Sequence, residues 1–139
     1  MKKLIVAFLL TFVVFGCAKN EDLTPSTEIM AKVNPVAITT GSFVGAVHPT
    51  SGSIKVAEDA QDKTKKYLIF ENFKTDPGPD LKIYLSDDLK ATNFIEVAKL
   101  EKTGDFSVLV PTTADLNKQK YVLIWCKQFA VLFGSAQLK

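Results

Sequence analysis

The chain has 139 residues, 47% of them hydrophobic and 23% charged, the size and balance of one globular domain with accessory segments. All seventeen basic residues are lysines, and the formal charge is only +2. With no arginine and no basic stripe, the chain lacks the equipment of specific nucleic-acid recognition, so nucleic acid is not expected as a partner.

Residues 1–16 read as a signal peptide. Lys2 and Lys3 precede an apolar run from Leu4 to Phe15. That run would be roughly 18 Å long as a helix, too short for a bilayer core of about 30 Å. It ends in Val14-Phe15-Gly16-Cys17, which resembles the bacterial lipobox, with Phe15 bulkier than its usual occupant. Cys17 is therefore the expected lipid-bearing residue. Each buried methylene contributes roughly 0.8 kcal/mol, so a cysteine carrying two or three acyl chains (palmitate or similar) anchors stably without a membrane-spanning helix. The expected location is the cell envelope, lipid-anchored and extracytoplasmic, on the periplasmic face of the outer membrane or at the cell surface.

Residues 17–35 combine this cysteine with a polar tether rich in Lys, Asn, Glu, Asp, Thr, Pro and Ser. Fully extended it spans about 60 Å; as a flexible coil it averages roughly 20–25 Å.

From residue 36 to 139 the pattern is that of strands. Short alternating runs are broken by Gly, Pro, Asp and Asn clusters. The expected strands are Ile38–Val47, Ser53–Ala57, Tyr67–Phe73, Leu81–Ser86, Phe94–Leu100, Phe106–Val110, Tyr121–Lys127 and Ala130–Leu138. Thr113 to Lys118 is the best helical stretch, and it amounts to one turn. The fold class is thus all-β: a single antiparallel β-sandwich of about eight short strands, with a partly open barrel as second choice.

The chemistry-bearing residues are few. Tyr121-Val122-Leu123-Ile124-Trp125-Cys126 is apolar on both faces, as for a central strand. Cys126, the one cysteine besides Cys17, would lie near its end as a small buried hydrophobe. His48 is the only histidine, and it sits where a turn between strands is expected. Two cysteines and one histidine cannot build a blue-copper site or a four-ligand zinc site. There is no C-x-x-C pair, no G-x-S-x-G elbow and no phosphate loop, and no catalytic constellation is expected. Asp76, Asp80, Asp87 and Asp88 raise a calcium reading, but two prolines and a glycine between the first pair describe a rigid turn better. Glu71, placed among Tyr67, Ile69 and Phe73, needs a lysine or backbone amides to satisfy it.

Three stretches resemble the DM-thirteen domain, the Skeletor-type electron-transfer module. They are Gly41-x-Phe43 leading to His48-x-x-Ser51-Gly52; Glu71-Asn72-Phe73 followed by Gly78-Pro79-Asp80-Leu81-Lys82-Ile83-Tyr84-Leu85; and Trp125-Cys126-Lys127-x-Phe129 with Phe133-Gly134-x-Ala136-x-Leu138. The resemblance implies a β-rich extracytoplasmic module with a redox role resting on one cysteine, here Cys126, acting as a bare thiol or as the ligand of a group such as haem. It makes His48 a weak second-ligand candidate and a redox or cell-envelope protein the expected partner. The reading that stands beside it is a non-enzymatic module that binds a ligand or protein through the 48–52 and 73–80 loops, with Cys126 inert in the core.

Overall fold

The computed structural model describes residues 33–139. The expected signal peptide, Cys17 and the tether up to residue 32 lie outside them. Eight strands follow in order: β1 (Val33–Gly45), β2 (Thr50–Asp59), β3 (Lys66–Thr75), β4 (Leu81–Ser86), β5 (Phe94–Lys99), β6 (Gly104–Leu109), β7 (Tyr121–Cys126) and β8 (Val131–Gln137). The fold is all-β, as expected, and β1 begins slightly before residue 36. The stretch around Thr113 to Lys118 is a turn, closed by Lys118 and Gln119 amides donating to the Asp115 carbonyl.

All pairings are antiparallel, and the strands form one sheet in the order β5-β4-β7-β8-β1-β2-β3-β6. The two layers of the expected sandwich exist as two halves of this sheet, which share β1. Residues Val33–Ser42 of β1 pair with β2, and Phe43–Gly45 pair with β8. The sheet curls until β5 and β6 approach each other, so the molecule is a nearly closed barrel.

The core follows from alternation, since successive side chains leave a strand on opposite faces. Ile54 and Val56, Leu68 and Phe70, Ile83 and Leu85, and Val122 and Ile124 all point inward and are completely buried. Phe43, Phe70, Phe73 and Phe106 interlock, with the Phe70 and Phe106 rings stacked at 4.4 Å and Phe73 meeting Phe70 edge-on at 5.2 Å. Such pairs add about 0.5–1.5 kcal/mol each beyond their buried area.

Alternation fails once on β3. Asn72 takes a positive φ of 49°, and the registers with β2 and β6 both shift there. The Asn72 amide donates to the Asp105 carboxylate at 2.7 Å. This bulge turns Phe73 into the core while Tyr67, Ile69 and Glu71 stay on the outer face, which corrects the expectation that all four share one side. Glu71 is satisfied by a lysine: Lys55 Nζ lies 2.7 Å from its carboxylate and Ser53 Oγ donates at 3.3 Å.

Successive strands run in opposite directions, which gives the barrel two distinct poles. The near pole holds the start of β1 at Val33, the 60–65, 87–93 and 110–120 loops, and Lys139, whose amide and carbonyl both bond Thr40. The far pole holds the 46–49, 76–80, 100–103 and 127–130 loops. Cys126 and His48 are both at the far pole.

Candidate functional site

β7 lies inside the sheet between β4 and β8, which explains its apolar sequence. Its outer face is covered as well: Leu123 is fully buried, and Tyr84 and Trp125 stack beside it with ring centroids 6.4 Å apart. Cys126 ends the strand, opposite Leu81 on β4 and Val131 on β8. It is a free thiol with 0% exposure, and belongs to the same core cluster as Leu81, Phe133 and Ile124.

His48 sits in the turn between β1 and β2. Its imidazole stacks on Phe133, centroids 3.9 Å apart, and its Nδ1 lies 3.1 Å from Asp76 Oδ2. The turn is tied to β8 by Ala46 and His48 amides donating to the Phe133 carbonyl. No hydrogen bond joins His48 to Cys126 among the described residues. Phe133, 4% exposed, belongs to the core on one side and carries the histidine on the other.

A strap covers this pole. Asp76-Pro77-Gly78-Pro79-Asp80 runs from β3 to β4, held at one end by His48 on Asp76 and at the other by Lys82 Nζ, 3.1 Å from Asp80 Oδ1. Gly78 is pressed onto Leu81 and Phe133; a Cβ there would stand 2.8 Å from Leu81 Cδ2 and 3.0 Å from Phe133 Cζ. The Lys127 amide donates to the Asp80 carbonyl, tying the strap to the residue after Cys126. Prolines on both sides of Gly78 limit its backbone freedom.

The charges lie outside the core. Lys82 bridges Asp80 and Glu96, and Lys127 reaches Glu96 at 3.4 Å. The hydrogen bond to Asp80 raises the Lys82 ammonium above its usual range, helped by the nearby Glu96. Burial pushes the Tyr84 phenol upward, so it remains neutral. Lys127 thus serves a carboxylate on the outer face and does not attend the Cys126 sulfur. A reactive thiol needs exposure, and this one is fully buried.

Haem, implied by the resemblance, does not fit Cys126 here. The sulfur is enclosed by close-packed side chains, Cys126 lines none of four surface cavities found among the described residues, and His48 is committed to Asp76 outside the Phe133 ring. The acidic residues of the calcium reading separate, because Asp76 and Asp80 are at the far pole while Asp87 and Asp88 follow β4 at the near pole. No group of three or more metal-binding side chains forms among the described residues.

Of the residues singled out in the sequence, the site brings His48 and Asp76 together directly and seats the imidazole on Phe133, a residue named there only as part of the family motif. The 48–52 and 73–80 loops meet here, with the Thr50 and Thr75 hydroxyls 3.1 Å apart. Residues 42–138 match the family described as "Electron transfer DM13". The chain belongs to this family. The DM13 match covers both loops, the strap, Cys126 and Phe133. Neither a curated protein nor a solved structure matches the chain.

Proposed function

We propose that this chain is a membrane-anchored extracytoplasmic lipoprotein whose DM13 domain works in electron transfer, with Cys126 as its redox residue. The DM13 match over residues 42–138 carries the electron-transfer reading. Cys126 is the only sulfur atom of the domain, since the remaining sulfurs are those of Met1, Cys17 and Met30. Its enclosure sets the terms of that role: the nearly closed barrel shields the thiol from solvent, so a redox or cell-envelope partner would dock at the far pole, where Cys126 ends its strand. The anchor is supported by Lys2-Lys3, the short apolar run and the lipobox-like Val14-Phe15-Gly16-Cys17.

Two experiments test this reading. Labelled palmitate should enter the wild-type chain expressed in a Gram-negative host and not Cys17→Ser; an unlabelled wild type sinks the anchor. The detergent-solubilised full chain should give a reversible electrode response that Cys126→Ala lacks. An electrode-silent protein, with and without added haem, sinks the redox role.

The 0% exposure of Cys126 among aliphatic and aromatic neighbours favours a second reading. In it Cys126 is a core residue and the domain binds a protein or ligand through the far-pole loops. A silent electrode together with thiol labelling only after unfolding leaves this reading standing.

A further inference from the structure

The near pole carries an anomaly that neither reading uses. Inward positions along β1 and β3 are Gly41 and Phe43, and Leu68 and Phe70, all filled by small or apolar residues. One layer nearer the near pole, the same inward positions are Thr39, which stands opposite the buried Val56, and Lys66, two residues before Leu68. A hydroxyl and an ammonium replace the expected aliphatic pair.

Neither group finds a partner among the described residues. Thr39 Oγ1 is buried and makes no hydrogen bond with any of them. Lys66 makes no ion pair among the described residues. Asp115 at the rim does not serve it, being occupied by Lys118 at 3.8 Å and by the Asn117 amide at 3.0 Å. Both groups line a cavity of about 540 Å³ at the barrel mouth, with Ile38, Val110 and Leu116 among its apolar walls. That volume is in the range of small-molecule sites, roughly 300–1,000 Å³, and barrel mouths are a usual place for them. Buried polar groups ordinarily find partners.

We propose that this mouth binds a small organic anion with a short apolar body. Its carboxylate or phosphate would pair with the Lys66 ammonium and accept from Thr39 Oγ1, while the apolar part packs against Ile38, Val110 and Leu116. The inference is independent of Cys126 and of the electron-transfer reading. The shared chemistry is an anionic head on an apolar stem, whether a free carboxylate or a lipid head group supplies it.

The test uses the full chain in nanodiscs of zwitterionic lipid, titrated with hexanoate and followed by amide chemical shifts. Saturable shifts at Thr39, Lys66 and Val110 are expected, with 1-hexanol much weaker. Lys66→Met should weaken hexanoate binding about tenfold and Thr39→Val about threefold, from the loss of a charge-assisted and a neutral hydrogen bond respectively. Both variants should keep the remaining amide spectrum, which separates lost binding from lost fold. Nanodiscs containing phosphatidylglycerol that reproduce the shifts without hexanoate assign the head group as the source. No saturable shift with either anion, or a hexanoate response unchanged in Lys66→Met, overturns the proposal.

Discussion

The His48 imidazole and the Phe133 ring lie face to face, centroids 3.9 Å apart and planes 28° from parallel, while the far edge of the imidazole reaches Asp76. One aromatic side chain of the core thus presents a platform to a turn, and the turn fastens the strap that crosses the far pole. Chain segments distant in sequence meet at this point: β1–β2, β3–β4 and β8.

The two halves of that contact should separate by mutation. The side chains of His48 and Asp76 are 37% and 48% exposed, so Asp76→Asn should cost less than about 1 kcal/mol. His48→Ala loses the stack as well and should cost about 1–2 kcal/mol. Urea midpoints of the two single variants and the double variant measure this. A His48→Ala cost no larger than that of Asp76→Asn would show the stack contributes nothing.

Cys126 should behave as a core residue in stability. Cys126→Ala leaves a small cavity and should cost about 1–2 kcal/mol, whereas Cys126→Ser adds an unpaired hydroxyl and should cost about 1–3 kcal/mol more. Denaturation curves give both values. A thiol reagent should label the folded protein slowly, at the rate of opening, and the denatured protein at once.

Two glycines should respond very differently to alanine. At Gly134 a Cβ would stand 2.4 Å from Thr50 Cβ and 2.6 Å from its Oγ1, inside a packed interface, so Gly134→Ala should cost about 3 kcal/mol through overpacking. Gly104 has φ of +85° but nothing within 4 Å of its Cβ position, so Gly104→Ala should cost only the backbone penalty of about 1–2 kcal/mol. Thermal melts of the pair rank the two effects.

Acid and alkali should act on opposite features. Asp59 is held below the usual carboxylate value of 3.8 by amide hydrogen bonds from Gln61 and Asp62; Asp62 and Asp88 are held there by bonds from Thr64 and Thr92. With folded values depressed, their stabilisation is complete above the unfolded value and is lost as pH falls through the folded ones. Lys82 is raised above 10.5, so its contribution is complete below 10.5 and disappears as pH rises through the folded value. Urea midpoints against pH should fall below about pH 4, less so in Asp88→Asn, and the alkaline limb should flatten in Lys82→Met.

Most of the architecture was legible because one rule, alternation, is written in residues such as Leu81, Ile83 and Leu85. The bulge at Asn72 was not, since a single left-handed residue reverses the faces after it without disturbing composition. The sandwich and the barrel share the same strand pattern. What distinguishes them is that β1 changes partner between Ser42 and Phe43, a tertiary choice with no local signal. Burial of Cys126 followed from its place at the end of an apolar central strand. The stack of His48 on Phe133 did not, because it depends on β8 lying next to β1. Thr39 and Lys66 carried a faint signal, polar residues at inward positions, that becomes meaningful only when the register is known.

The strand count has a geometric consequence of its own. Eight antiparallel passes are an even number, so the chain leaves the barrel at the pole where it enters it. Anything fused after Lys139 would therefore emerge beside whatever holds the amino-terminal side. A reporter placed there would crowd the near mouth, whereas one inserted in the 127–130 turn would project from the opposite end. Parity thus decides the pole from which the carboxyl-terminal residue points.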